Sequence, residues 1–96
     1  MAVQTMIYAL MGPNDSLPRY VGQTIHPKPR LSCHLTWART GNDKSAKADW
    51  LRELLAEGQR PLMILLEAVP SDMADSQERV WIERGRQCGW PLLNKA

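Results

Sequence analysis

The segment from Ile7 to His34 reads IYALMGPNDSLPRYVGQTIHPKPRLSCH, and the rest of the chain is best interpreted around it. It contains both tyrosines of the chain, Tyr8 and Tyr20, each within a short apolar run typical of a strand. The turn-forming residues between these runs predict an antiparallel hairpin. Arg30 and His34 follow four residues apart, which places them on one face of a predicted helix. Phenol, guanidinium and imidazole groups are therefore expected near one another, and together they suit a phosphate ester.

The hydrophobic pattern and the positions of proline and glycine predict six elements along the whole chain, including the hairpin strands and the helix of Arg30 and His34. Strands are expected over residues 5–10, 19–24 and 62–69, and helices over residues 29–39, 46–57 and 71–88. Ser45 and Ser71 are candidate N-caps of the second and third helices. Gly22 is expected to mark a bulge or a close approach of the backbone. The third strand is apolar on both faces, so we expect it to be well covered.

Length and composition limit the class of protein. The 96 residues, of which 44% are hydrophobic, predict one domain over residues 1–96 with a single modest core. Cys33 and Cys88 match no zinc or disulfide spacing, and we interpret them as reduced thiols with packing roles. No secretory pattern opens the chain, and no apolar run is long enough to span a bilayer. We therefore expect a soluble, cytoplasmic protein with no membrane partner.

Basic residues are concentrated in one part of the chain. The net charge is only +2, but between residues 16 and 48 the basic side chains are opposed by Asp43 alone. A basic patch near the tyrosines would suit a polyanion, whereas an ordinary solvated surface is the alternative interpretation. The predicted nucleic-acid-binding residues are Arg19, Lys28, Arg30, Arg39, Lys44 and Lys47.

Glu78 lies on an otherwise apolar face of the third predicted helix, between Ala74 and Trp81. A carboxylate on a face that points into the core is costly unless it is paired or binds a metal ion. The alternative is that the face is rotated and that Glu78 lies at its rim. Trp50, Trp81 and Trp90 are interpreted as packing residues.

The residues of the opening segment also have structural alternatives. Tyr8 and Tyr20 would be explained by cross-strand aromatic packing alone. His34 would be explained as a hydrogen-bonded helix histidine, and Arg30 as a surface charge. No single residue among the four is specific for a function.

In combination, these motifs resemble those of the GIY-YIG nuclease family over residues 5–95. Arg30 followed by His34 fits the arginine of that family with a histidine or tyrosine four residues later. One position departs from the pattern, because Met6 stands where the family has its first glycine; this is a backbone position of the first strand. The other matching segments are MIY at 6–8, YVG at 20–22, ERVWI at 78–82 and LLN at 92–94.

The resemblance implies a small α/β (α+β) fold in which a three-stranded antiparallel sheet is flanked by about three helices. It also implies hydrolysis of DNA phosphodiesters with one divalent cation, Mg²⁺ or Mn²⁺, held by Glu78. The catalytic residues that it implies are Tyr8, Tyr20, Arg30, His34, Glu78 and Asn94.

The residue types fit that chemistry. One tyrosine would act as the base that activates water, with the other as its partner; a tyrosine pKa of about 10 must then be lowered by nearby cations such as Arg30. Arg30 would also stabilise the negative charge of the transition state, and His34 would orient groups or relay a proton. A single carboxylate such as Glu78 is sufficient for Mg²⁺, which retains several water ligands.

Two other functions remain open from the sequence. The first is a nucleic-acid- or protein-binding module of the same fold with weak or no cleavage, because the short chain has no room for a targeting domain. A nuclease core of this size would depend on a targeting partner protein or on self-association for its selectivity. The second is a purely structural domain, which would make the set of matching residues a coincidence.

Overall fold

The computed structural model describes residues 3–94, and its elements follow the predicted order. A three-stranded antiparallel sheet has helices on both faces, which confirms the predicted α+β class. The elements are β1 (Gln4–Met11), β2 (Tyr20–Thr24), α1 (Pro27–Thr40), α2 (Ala46–Ala56), β3 (Leu62–Pro70) and α3 (Ala74–Gln87).

The strand order is β2-β1-β3, so β1 is the central strand. In the β1–β2 hairpin Tyr8 lies opposite Gly22, and the register is regular. Of the two roles predicted for Gly22, the bulge is therefore absent, whereas the close approach is present, with Tyr8 packed over Gly22. The register instead shifts in the β1–β3 pair, where Tyr8 lies opposite Leu65 but Ile7 lies opposite Glu67. Leu66 is the extra residue of this bulge, which bends the edge strand.

Alternation along β1 divides the core into two clusters, one on each face of the sheet. One cluster lies between the sheet and helices α1 and α2, and the other lies between the sheet and α3. The buried residues of the first are Tyr8, Leu10, Leu35, Ala38, Ala48, Trp50 and Leu51. Those of the second are Ile7, Val21, Val69 and Ala74, with Trp81 and Trp90 stacked beside them at 6.5 Å between ring centroids.

The first two helices begin where proline and serine favour a start. Helix α1 begins at Pro27, two residues earlier than predicted, because Pro27 and Pro29 both fit a first turn in which backbone N–H groups have no intrahelical partner. Gly41 ends this helix with a φ of 74°. Ser45 caps α2 as predicted, because its side-chain oxygen accepts a hydrogen bond from the Ala48 N–H at 3.2 Å.

The predicted N-cap role of Ser71 is wrong. Ser71 lies in a 3₁₀ turn (Ser71–Met73) and makes no side-chain cap bond, so α3 begins only at Ala74. Its hydroxyl donates to the Val3 carbonyl at 2.9 Å and lies 2.7 Å from the Thr5 hydroxyl. The side chain therefore ties the end of β3 to β1 and is not free to cap a helix.

The predicted cover of β3 is also wrong. β3 is an edge strand, and the exposed fractions of Leu62, Ile64 and Leu65 are 50%, 39% and 53%. An apolar run predicts a strand, but it does not distinguish a central strand from an edge strand, because that difference depends on pairing with distant segments.

Two further predictions concern the state of the cysteines and the absence of a membrane-spanning segment. Neither Cys33 nor Cys88 forms a disulfide; Cys33 is half-buried, whereas Cys88 is exposed and has no packing role. No helix among residues 3–94 is long and apolar enough to cross a membrane.

Candidate active site

Tyr8, Gly22 and His34 form the inner layer of the candidate site. The Tyr8 hydroxyl lies 2.6 Å from His34 Nε2, and both residues are almost fully buried. Gly22 makes this arrangement possible, since a Cβ atom there would lie 2.5 Å from the Tyr8 hydroxyl oxygen and 2.6 Å from Cζ. Only a residue without a side chain leaves room for the phenol ring across β2.

Burial keeps this inner pair uncharged at neutral pH. It lowers the pKa of His34 to about 4, with the positive charges of Lys47 and Arg30 acting in the same direction. Burial also raises the pKa of Tyr8, an effect that Arg30 opposes. Within the described residues His34 Nδ1 is buried without a hydrogen-bond partner. Tyr8 and His34 are therefore a neutral, hydrogen-bonded pair behind the surface.

Tyr20 is the tyrosine that faces solvent. Its ring centroid lies 6.4 Å from that of Tyr8 and 5.7 Å from that of His34, and the residue is half-buried. Burial raises the pKa of Tyr20; Glu78 raises it further, and Arg30 opposes both effects. Tyr20 borders an open pocket of about 440 Å³, to which β2, α2, α3, the α1–α2 loop and the segment after α3 contribute. The residues that line it are Tyr20, Asp43, Ser45, Lys47, Glu78, Ile82, Leu93 and Asn94.

Lys47 brings a buried positive charge to this pocket. Its ammonium nitrogen lies 3.2 Å from an Asp43 carboxylate oxygen and 5.0 Å from the centroid of the Tyr20 ring. Hydrogen bonds from Ser45 lower the pKa of Asp43 to about 2, and Lys47 adds to this effect. The sequence predicts Lys47 as a nucleic-acid-binding residue of a basic patch near the tyrosines, but it assigns no site role to Asp43. The spacing of Asp43 and Lys47, four residues apart, was the available signal.

Glu78 lies at the rim of the pocket and is half-buried, so the structure does not place it inside the core. Burial raises the pKa of its carboxyl group; the Gln23 amide acts in the opposite direction, and Asp75 acts in the same direction as burial. Gln23 also donates a hydrogen bond of 2.7 Å to Asp75. Gln23 belongs to no motif, so nothing in the sequence points to it as a residue of the site.

The side chains around Glu78 fit a weakly chelated Mg²⁺ or Mn²⁺ ion. Among residues 3–94 no group of three or more His, Cys, Asp or Glu side chains could hold a metal ion. Asp43 is paired with Lys47, so Glu78 is the carboxylate available in the pocket. Mg²⁺ binds through one or two carboxylates, several waters and substrate phosphates. The donor set therefore fits an ion that would complete its ligands from water and substrate.

Asn94 holds one wall of the site in place. Its side-chain oxygen accepts from the Val21 N–H at 3.0 Å, and its amide donates to the Val21 carbonyl at 2.8 Å. Leu93 N–H donates to the Arg19 carbonyl at 2.7 Å, so the final described residues run along the edge of β2. Because both polar atoms of Asn94 are engaged, the structure gives this predicted catalytic residue a positioning contact.

Arg30 lines a separate groove of about 360 Å³, and it lies near enough to Tyr20 to oppose the rise in the pKa of that residue. Its Nε donates to the Thr24 hydroxyl at 3.5 Å, and its guanidinium carbon lies 5.9 Å from the Trp37 ring centroid. The ion pairs found within residues 3–94 are Lys47–Asp43 and Arg52–Asp49, so no described carboxylate neutralises Arg30. Its charge is therefore available to an anionic ligand.

The remaining predicted cations do not line the pocket. Arg19 is half-buried with its guanidinium carbon 5.7 Å from the Trp50 ring centroid, and Lys28 borders an apolar groove beside β3. Arg39 is exposed on α1. Lys44 is exposed at a groove that it shares with Trp37.

Comparisons of the chain with protein-family models, with curated proteins and with solved structures found no match. The geometry of the side chains is therefore what bears on the chemistry of this site.

Proposed function

We propose that the chain is a metal-dependent DNA endonuclease of the GIY-YIG type. The observation that supports this function most directly is the pocket shared by Tyr20, Lys47 and Glu78. These residues come from β2, α2 and α3, and they bring a phenol, a cation and a carboxylate to one open cavity. The uncompensated charge of Arg30, which lines a separate groove, adds a binding group for phosphate.

Tyr20 is the better candidate for the base, because it borders the pocket while Tyr8 is only 2% exposed and is bonded to His34. As a phenolate, Tyr20 takes a proton from a water molecule. The water oxygen then bonds to phosphorus, and the bond from phosphorus to the leaving sugar oxygen breaks. The Tyr8–His34 pair behind Tyr20 fixes the orientation of its ring.

The positive groups have separate roles in this mechanism. Arg30 acts to lower the pKa of Tyr20 and is suited to bind the phosphate that gathers charge. Lys47 lies against the Tyr20 ring, and the ion pair with Asp43 holds the Lys47 ammonium group in that position. When bound at Glu78, a divalent cation would supply positive charge that neutralises the developing charge of the leaving oxygen.

One observation favours a second function, DNA binding without efficient cleavage. The pKa values of both tyrosines are raised in the free protein, whereas a base must lose its proton. A binding module would need only the cations and the groove.

Nicking of supercoiled plasmid in Mg²⁺ or Mn²⁺ tests the proposal. We expect Tyr20→Phe and Glu78→Gln to lower the nicking rate by roughly a hundredfold or more, because each removes a group that acts in the transition state. Glu83→Gln is the matched control, since Glu83 is an exposed glutamate on the same helix and should nick at the wild-type rate. DNA binding without metal should persist in all three variants.

One further result would contradict the nuclease, and another would contradict its site. A folded wild type that binds DNA but cleaves neither plasmid nor branched and flapped DNA would indicate the binding module. Loss of nicking in Glu83→Gln equal to that in Glu78→Gln would contradict the assignment of the site.

A further inference from the structure

Trp37 differs from the other three tryptophans in its surroundings. Trp50 is 7% exposed, and Trp81 and Trp90 are half-buried and stacked on each other, as core packing requires. Trp37 is 38% exposed on α1. A single exposed apolar side chain is ordinary at a protein surface, so what matters is that the groups around Trp37 can bind a ligand.

The indole of Trp37 lies beside Arg30, the group that would contact a phosphodiester, and packs edge-on against the buried His34. It lies three residues after His34, with the two ring planes at 86° and their centroids 5.9 Å apart. The Arg30 guanidinium carbon lies 5.9 Å from the Trp37 ring centroid. A phosphate bound by Arg30 would therefore bring its own nucleotide close to the indole.

Trp37 lines two open grooves, one toward the start of α1 and the other at the loop after α1. The groove of about 360 Å³ contains Arg30 and also Ile25, which is 52% exposed. The groove of about 430 Å³ is formed by Trp37 and the loop after α1, with Asn42, Lys44 and Asp43, whose carboxylate is paired with Lys47. Each groove thus places a cation beside the indole, and sites where bases stack and the backbone is held by charge combine these two groups.

We propose that Trp37 is a stacking platform for an unpaired DNA base adjacent to the phosphate bound by Arg30. The bases of an intact duplex are covered on both faces by their neighbours, so a side chain can stack only on a base that is unpaired or displaced. The preferred substrate therefore carries unpaired nucleotides at the cleavage position. This inference rests on the proposed function, since it assigns the substrate of the same site.

Binding measured without metal tests the inference separately from cleavage. The probes are a fluorescein-labelled blunt DNA duplex and the same duplex with a single-stranded flap. We expect Trp37→Ala to weaken binding of the flapped DNA about 5- to 100-fold and that of the duplex by less than about twofold. Trp37→Phe should retain most of the affinity, because phenylalanine still stacks. Flapped DNA should quench the tryptophan fluorescence of the wild type but not that of Trp37→Phe.

Leu17→Ala is the control, because Leu17 is equally exposed, at 39%, but lies in the β1–β2 loop. Equal losses for duplex and flapped DNA in Trp37→Ala would mean that Trp37 acts only by orienting Arg30, and would overturn the inference. No loss for either DNA would also overturn it, even if the wild type nicks DNA. A wild type that binds neither DNA would contradict the proposed function as well.

Discussion

Two tyrosines on the same face of the sheet have different environments because of where their strands lie. Tyr8 is on the central strand, passes over Gly22 and is bonded to His34, whereas Tyr20 is on the edge strand and borders the pocket. The His34 imidazole packs against both tyrosine rings, at 6.0 Å from Tyr8 and 5.7 Å from Tyr20 between centroids, and its Nδ1 has no partner among the described residues. Because burial lowers the pKa of His34, the stability of the fold depends on keeping this imidazole neutral.

The first prediction concerns this histidine and pH. The pKa of His34 is about 4 in the folded chain and about 6.5 when unfolded, so between these values only the unfolded chain binds the extra proton. The stabilisation from neutral His34 is therefore complete above about pH 6.5 and is lost as the pH falls toward 4. Urea unfolding at pH 7.5 and pH 4.5 should show a loss that His34→Gln lacks, of up to about 3 kcal/mol.

Comparison with His34→Gln cancels the pH-dependent stability contributions of nearby carboxyl groups, because both proteins contain them. Glu78, whose pKa is raised, changes stability in the opposite direction over part of this range, but it does so in both proteins. The stability from Asp43 is lost only as the pH falls from 3.8 toward 2. Parallel pH curves for the two proteins would refute the assigned role of His34.

At the level of single residues, the sequence predicted which side chains meet but not how each is placed. The motif order brought Tyr8, Tyr20 and His34 together, as the structure does. It did not distinguish the buried tyrosine from the open one, because that depends on which strand is central. The sequence also assigns no site role to Asp43, because the loop that carries it has no periodic pattern.

Strand β2 depends on a partner outside the regular sheet. It pairs with β1 on one side, and Asn94 covers part of the other side through both polar groups of Val21. The short C-terminal segment thus closes the edge of the sheet beside the pocket. An edge covered in this way keeps its backbone groups paired and its neighbouring side chains fixed.

The second prediction concerns this contact. Asn94→Ala removes both hydrogen bonds to Val21 and should destabilise the fold by about 1 to 3 kcal/mol, because Val21 is fully buried. Urea unfolding measures the loss, and hydrogen exchange of the Val21 amide should become faster. Asn42→Ala, at an exposed asparagine, should change neither quantity. An unchanged exchange rate at Val21 in Asn94→Ala would rule out the clamp.

Elements were predictable where local chemistry decides them. Pro29 and Ser45 gave the starts of α1 and α2 to within two residues. The sequence failed at Ser71 and β3, where distant partners decide: Ser71 bonds to β1, and β3 lies at the edge because of the strand order. Periodicity reports the conformation of a segment, whereas sheet position depends on the whole chain.

The whole molecule carries little net charge, but its basic side chains have different environments. Arg19 and Lys47 contact aromatic rings, whereas Arg39 and Lys44 are exposed. Only the charges that meet phosphates release counterions and contribute to salt-dependent binding.

The third prediction follows for DNA binding. The dissociation constant should rise steeply with salt, and Lys44→Gln should lower the slope of log affinity against log salt by about one, because it removes one phosphate contact. Titrations at several salt concentrations give this slope. Arg84→Gln, at an exposed arginine on α3, should leave the slope unchanged. A wild-type affinity that does not change with salt would contradict DNA binding by the basic residues between Arg19 and Lys47.

The central position of β1 has a consequence for how the chain reaches its fold. Its hairpin partner β2 arrives after residues 12–19, whereas β3 must return across residues 25–61. Closing the longer loop costs more entropy and slows folding, so we infer that the hairpin forms first. Until β3 docks, one side of β1 has free hydrogen-bonding groups and uncovered apolar side chains. The interval before docking is therefore when a nascent or refolding chain is most open to aggregation.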